Sequence, residues 1–339
     1  MPLHIALRLI AQGHTLTADQ TADAFAVIMR GEATPALIGA LLLGLRARGE
    51  TADEIAGAAR ALRAAMVPVR TGSGPTVVDT CGTGGGTVST FNISTAAALV
   101  AAAAGARVPK HGNRSFTSKC GSADVLEALG VNIMLDAAQA AAVLDRVGMV
   151  FLFAPTFHPA MRHAGPTRKE LGVATIMNLL GPLANPAGVE RQVIGVADSA
   201  HAPLMAEALL RLGAHRALVV HGEVGMDELS PTGVNTVWEV ADGSVTTWTL
   251  DPRHYGLGWD RLDELAGGEP AENAARVERL VNGAKDEAGR RAVLLNAAAA
   301  LYAAGLAPDY AEAVELASRT LHSGAAAKVL RELRAAAPR

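Results

Sequence analysis

The sequence predicts an α/β protein: a small all-helical domain plus a larger domain with a mainly parallel sheet flanked by helices. Three observations carry this. Residues 1 to 66 show helical spacing alone, and from residue 76 short strand-like runs alternate with helical segments. The composition is 50% hydrophobic but only 4% aromatic, which leaves Ala, Leu and Val to fill a sizeable core. At 339 residues the chain has room for two domains.

The helical unit reads as four short helices. Thr17 to Gln20 and Thr51 to Glu54 each fit a capping box, in which a hydroxyl and a side chain three residues on satisfy each other's exposed amides. Thr34 precedes Pro35 as an N-cap before a first-turn proline, Gly31 is a stop for the helix before it, and Leu37, Leu41, Leu42 and Leu45 follow at helical spacing.

Beyond "VRTGSGP" the pattern changes. "TVVDT" (76–80) reads as a strand, a glycine-rich loop follows, and "ISTAAALVAAAAG" reads as a helix stopped by Gly105. Strand-like runs recur at 106–110, 149–153, 192–197 and 217–221, and "TVWEV" with "SVTTWTL" across "ADG" forms a hairpin. From about 258 the chain reads as helix. Residues 165–188 are helical and end in a Pro and Gly cluster with no strand at either immediate side, so they are expected to return to the N-terminal helices and create a cleft. The expected division is 1–68 helical, 76–163 α/β, 165–187 helical again and 188–339 α/β.

A net charge of −3 gives no sequence-independent attraction to nucleic acid or to an anionic membrane. Cys81 and Cys120 make neither a disulfide framework nor a zinc pattern; they read as small fillers, and a reducing cytoplasm is expected. "MPLHIALRLIAQG" lacks the apolar centre and cleavage site of a signal peptide. The longest apolar run, beginning at Ala96, is about half a bilayer span.

Three loops at predicted strand ends carry the chemistry. "DTCGTGGGTVSTFNIS" (79–94) lets the backbone approach an anion closely and leads into a helix N-terminus. It lacks the Gly-Lys-Ser/Thr ending of a P-loop, and no acid stands some twenty residues on to hold a ribose, so dinucleotide binding is disfavoured; a tight structural turn is the plain alternative. "KHGNRSFTSKCGS" (110–122) supplies Lys, His, Asn, Arg and hydroxyl donors suited to phosphate oxygens, against the plain alternative of a solvated loop. In "GMDELSPTG" (225–233), Asp227 and Glu228 are the oxygen ligands that Mg²⁺ takes beside a phosphate, where alone they would be surface charge. Arg168 can pair with a carboxylate. His158 and His163 have the wrong spacing for one zinc-binding helical face, and His163 reads as a packing or surface residue.

Taken in order, "GTGG" with "TFNIST", "KHGNR" with "GSADVLEALG", "HPAMRH" with "RKELG" and "NLLGPLANPAG", and "DELSPTG" resemble the anthranilate phosphoribosyltransferases over nearly the whole chain. The resemblance implies the nucleoside phosphorylase and phosphoribosyltransferase type of fold, a homodimer, and Mg²⁺-assisted transfer of phosphoribose from 5-phosphoribosyl pyrophosphate to the amine of anthranilate. It implies contacts to phosphoribosyl pyrophosphate from Gly82, Gly85, Gly86, Thr90, Asn92, Ile93, Ser94, Thr95, Lys110, His111, Gly112, Asn113, Arg114, Ser118 and Ser122. It further implies contacts to anthranilate from Gly82, Asn113, His111, His158 and Arg168, and to magnesium from Ser94, Asp227 and Glu228. Lys110 and magnesium would stabilise the leaving pyrophosphate. No side chain is assigned as acid or base, because an aromatic amine is already nucleophilic.

One position departs from the family's usual Gly-Thr-Gly-Gly-Asp: Gly86 stands where the Asp is expected, which bears on metal use. Two rival functions fit parts of the pattern less well. A pyrimidine nucleoside phosphorylase would need neither "KHGNR" nor the acidic pair, and a non-catalytic nucleic-acid-binding paralogue should be basic.

Overall fold

A computed structural model describes residues 3–72, 77–115 and 119–336. Ser118, Thr76 and the linker residues 73–75 lie outside the described residues. Four helices open the chain: α1 (Leu3–Ala11), α2 (Ala18–Met29), α3 (Pro35–Arg48) and α4 (Ala52–Ala64). Both expected capping boxes form, at Thr17 with Gln20 and at Thr51 with Glu54, and Thr34 caps α3 ahead of Pro35. Gly31 ends α2 at φ 76°, and any Cβ there would also meet the His163 ring at 2.7 Å. His163 is thus a packing residue that demands a glycine opposite it.

The rest alternates. In order come β1 (Asp79–Gly82), α5 (Ile93–Ala103), β2 (Val108–Gly112), α6 (Ser122–Ala128), α7 (Ala137–Val147), β3 (Met149–Phe153), α8 (Ala154–Phe157), α9 (Gly165–Leu171) and α10 (Met177–Leu183). Then follow β4 (Arg191–Gly195), α11 (Ala202–Arg211), β5 (Arg216–Gly222), β6 (Asn235–Ala241), β7 (Ser244–Leu250), α12 (Pro270–Val281), α13 (Glu287–Ala304), α14 (Tyr310–His322) and α15 (Ala325–Ala336). Expected runs shift by a few residues: among the described residues the first strand begins at Asp79, and the second runs 108–112 rather than 106–110. The long helix ends at Ala103, two residues before Gly105 turns the chain at φ 104°. After 258 a single 3₁₀ turn at Leu262–Leu265 precedes the first helix.

The sheet runs β1-β4-β5-β6-β7, parallel as far as β5 and antiparallel through the β6–β7 hairpin. The hairpin closes on Asp242 and Gly243, both at positive φ, as a two-residue turn requires. On the other side of β1, a parallel pair β2-β3 is tied to it by the bridge between Val77 and Arg107. Successive strands therefore leave β1 in one direction and resume at β4 in the other. The junction between β1 and β4 is a topological switch point, where the carboxyl ends of neighbouring strands open a crevice.

Two apolar cores result. Buried alanines on α5 and α13 let these helices approach closely, and they anchor the larger core, which explains a core with few aromatics. The second core gathers α1 to α4, α10 and α11 with Ile194, Val196, Ala217, Val219 and Val240 from one face of the sheet. Residues 165–183 return to the N-terminal helices: α9 packs on α3 and α10 on α4, with Arg63 Nε donating to the Leu183 carbonyl at 2.7 Å. Among the described residues no helix is long and apolar enough to cross a membrane.

Candidate active site

The crevice is built from its glycines upward. Gly82 ends β1 directly opposite Gly195, which ends β4. Asp227, from the loop after β5, lies over both. A Cβ on Gly82 would meet Asp227 Oδ2 at 2.7 Å, and one on Gly195 would overlap the Asp227 carbonyl oxygen. Only glycine at these strand ends admits the acid. Gly84 and Gly85 then turn at φ 66° and 80°, which lets Gly84 N donate to Asp227 Oδ2 at 2.9 Å.

Glu228 fastens the other end of the same loop. Its Oε1 accepts from Ser94 N at 3.0 Å, and its Oε2 accepts from the Thr90 hydroxyl at 3.0 Å. Burial, with Asp227 beside it, pushes the Glu228 carboxyl up to about 8, and burial raises Asp227 as well. A cation would hold such a pair ionised. Paired carboxylates are a donor set that Mg²⁺ accepts with other oxygens in its shell; among the described residues no cluster of three His, Cys, Asp or Glu ligands forms.

Lys110 lies beneath the loop. Its ammonium, 1% exposed, donates to the Thr80 carbonyl, to Thr80 Oγ1 at 3.4 Å and to Ser94 Oγ at 3.3 Å. All three hydrogens are spent below the loop, because the buried Asp79 draws the charge inward, while burial lowers the Lys110 pKa. Lys110 thereby supports Ser94 from below the loop. Asp79, which sequence reasoning missed, is fully buried; its Oδ1 accepts from His111 N at 3.2 Å.

The remaining expected contacts separate into groups. Ile93 is fully buried and its backbone nitrogen donates to the Phe91 carbonyl at 2.7 Å; Thr95 is buried too, with Oγ1 unpartnered. The Arg114 guanidinium donates to Asp124 and Glu127 at 2.9 Å, on the acidic side of α6. Gly112 is required because a Cβ there would overlap the Ser122 hydroxyl, and the Asn113 carbonyl accepts from Ser122 Oγ at 3.5 Å and from Ala123 N at 3.2 Å. Gly86 faces the Gly225 carbonyl, which a Cβ would approach to 2.9 Å, with Asp227 Oδ1 at 3.7 Å. The loop therefore lacks not only the carboxylate but the space for one.

His111 and His158 are both buried, with ring centres 5.0 Å apart. The Gly181 backbone faces the His111 ring and the Ala184 backbone faces the His158 ring, in both cases short of a well-formed hydrogen bond. Burial pushes their pKa values down to about 3 and about 4, with the two rings repelling each other's charge at His111, so both are neutral near pH 7. Arg168, on α9, is half-buried and its pKa is lowered by burial. Burial pushes the Cys81 thiol well above its ordinary range, which disfavours the thiolate.

With this geometry in view, comparison with known proteins is specific. The family model for the glycosyl transferase family, a/b domain, matches residues 74–327, and that for its helical bundle domain matches residues 5–66. Anthranilate phosphoribosyltransferase 2 of Streptomyces coelicolor is 52% identical, over 93% of either chain, and the Roseiflexus castenholzii enzyme is 50% identical, over 98% of either. The chain belongs to the anthranilate phosphoribosyltransferase family. Among solved structures, the Thermus thermophilus anthranilate phosphoribosyltransferase (TrpD) superposes with a TM-score of 0.92 at 46% identity, covering 98% of both chains. The Saccharomyces cerevisiae enzyme in complex with PRPP and Mg gives 0.90 at 29% identity, over 98% of this chain and 97% of that one. These likenesses favour anthranilate phosphoribosyltransferase over both rivals, the nucleoside phosphorylase and the nucleic-acid-binding paralogue.

Proposed function

We propose that the crevice between β1 and β4 binds 5-phosphoribosyl pyrophosphate and that Arg168 presents the carboxylate of anthranilate to it, giving N-(5-phosphoribosyl)anthranilate and pyrophosphate. The observation that carries this is the attachment of Asp227 and Glu228 to the two ends of the glycine loop, through Gly84 N and Ser94 N. It brings an acidic pair and an anion-binding backbone into one place.

In the reaction the bond from ribose C1 to pyrophosphate breaks, positive charge develops on the ring, and the amine nitrogen bonds to C1 and then releases a proton. Magnesium, held by Asp227, Glu228 and Ser94, would offset the charge of the departing pyrophosphate. The chain's own part is positioning. Gly82, Gly85, Gly86, Thr90, Asn92, Ser94 and Thr95 grip the diphosphate end, Asn113 and Ser122 the second loop's side, and the neutral His111 and His158 line the approach of the aromatic amine.

A homodimer is supported by the resemblance and by Ile5 and Leu43, exposed on the packed helices α1 and α3; light scattering tests it. Two free cysteines agree with a reducing cytoplasm. The deciding assay mixes protein, anthranilate, phosphoribosyl pyrophosphate and Mg²⁺ and follows loss of anthranilate fluorescence. Phosphorolysis of thymidine or uridine in its place would overturn the reading.

A further inference from the structure

Asn92 closes the hydroxyl-rich tail of the glycine loop, and a residue 181 positions away sets its side chain. Asn273, in the first turn of α12 and 3% exposed, accepts at Oδ1 from the backbone nitrogen of Gly268 at 2.8 Å. Its Nδ2 donates to Asn92 Oδ1 at 3.0 Å, and Asn92 Nδ2 in turn donates to the Cys120 carbonyl at 3.2 Å. The oxygen and nitrogen of an amide exchange places by a half-turn, so an isolated Asn has no fixed polarity. This relay does, because it starts on a backbone N–H, which can only donate, and ends on a carbonyl, which can only accept. The Cys120 thiol agrees: burial pushes it up to about 11, so it keeps its proton and donates to the same Asn92 Oδ1 at 3.3 Å.

The segment that carries Gly268 also carries the loop. Phe91 N donates to the Leu265 carbonyl at 3.0 Å, Gly267 N donates to the Ser89 carbonyl at 3.1 Å, and Thr90 forms a β-bridge with Ala266. Arg276, one turn beyond Asn273, lies 4.2 Å from the Phe91 ring centre and is itself held by Asp286 at 2.7 and 3.0 Å. Residues 89–92 therefore rest on a strap from 264 to 276 that no nucleotide-binding motif covers.

We propose that Asn273 is a positioning residue for the phosphoribosyl pyrophosphate site. By occupying Asn92 Oδ1, it keeps an amide hydrogen and not a carbonyl oxygen available at Asn92, the polarity an anionic oxygen needs. The inference rests on the reading of Asn92 as a ligand contact. Asn273→Asp tests it, because it is nearly isosteric and still accepts from Gly268, yet sets an acceptor against Asn92 Oδ1.

The measurements are phosphoribosyl pyrophosphate affinity by calorimetry with Mg²⁺, both KM values, and Tm, on Asn273→Asp, Asn92→Ala and the double variant. Affinity for phosphoribosyl pyrophosphate should fall roughly tenfold in Asn273→Asp, with the anthranilate KM and Tm little changed and no further loss on adding it to Asn92→Ala. If Asn92→Ala leaves affinity unchanged, the reading of Asn92 fails and takes the proposal with it. If Asn92→Ala weakens binding but Asn273→Asp does not, or the two losses simply add, the proposal alone is overturned. Should the Asp variant not fold, Asn273→Ala takes its place in the same cycle and is judged by the same outcomes.

Discussion

The backbone nitrogen of Ser94 donates to Glu228 Oε1 at 3.0 Å, joining the first turn of α5 to the loop after β5. This bond makes the acidic pair part of the phosphate loop rather than its neighbour. Replacing Asp227 and Glu228 together by Ala should reduce Mg²⁺-dependent turnover by at least ~100-fold, since cation stabilisation of the leaving group is worth several kcal/mol. An unchanged rate across a magnesium titration would refute the assignment.

Arg168 is half-buried on α9, where burial lowers its pKa and no carboxylate raises it. A charge-assisted bond to a carboxylate is worth about 1.5–3 kcal/mol. Arg168→Ala should therefore raise the anthranilate KM by roughly 10- to 100-fold and the KM for phosphoribosyl pyrophosphate much less. Equal effects on the two would remove Arg168 from the anthranilate site.

Gly195 has no conformational need for glycine, since its φ is ordinary; its need is space beneath Asp227. Gly195→Ala should lower stability by about 1–3 kcal/mol and weaken magnesium binding, because relief requires Asp227 to move. A variant with native Tm and native magnesium affinity would show that the two strand ends tolerate a side chain.

The His111 and His158 pair makes a pH prediction. Both folded pKa values, about 3 and about 4, lie below the ordinary 6.5. The unfolded chain thus binds more protons between these limits, so the pair's contribution to stability is complete above about pH 6.5 and is lost as pH falls through about 4 for His158 and about 3 for His111. Tm measured from pH 7.5 to 4.5 should fall less steeply in His158→Gln than in the parent protein. Parallel curves would contradict the burial of neutral rings.

Gly86→Asp restores the residue the family usually carries, but here its Cβ meets the Gly225 carbonyl at 2.9 Å and its charge faces Asp227. The variant should lose about 1–3 kcal/mol of stability and shift its magnesium profile. An identical profile would mean that this position does not govern metal use.

Local rules carry much of the fold into the sequence. Capping boxes at Thr17 and Thr51, the glycine stop at 31 and the Asp242-Gly243 turn depend on neighbours within four residues, and each forms as expected. The three chemical loops are legible because strand, glycine and donor residues cluster in short runs. Long-range consequences are not. Asp79 reads as a strand residue until His111 N is seen against it, Gly195 reads as a strand end until Asp227 is seen above it, and Asn273 sits in an ordinary capped helix. The engaged ammonium of Lys110 escapes the sequence for the same reason: composition shows a charge, and only packing shows what has already consumed its donors.

The second core has a consequence for synthesis of the chain. Its helices α1 to α4 are finished by residue 64, but they share their apolar interior with α10, α11 and strand residues as late as Val240. A ribosome adding about 5–20 residues per second exposes the first helices for on the order of ten to forty seconds before their last partners emerge. During that interval the N-terminal helices carry uncovered leucines, and whatever shields them then is as much a condition of reaching this fold as the contacts that finally cover them.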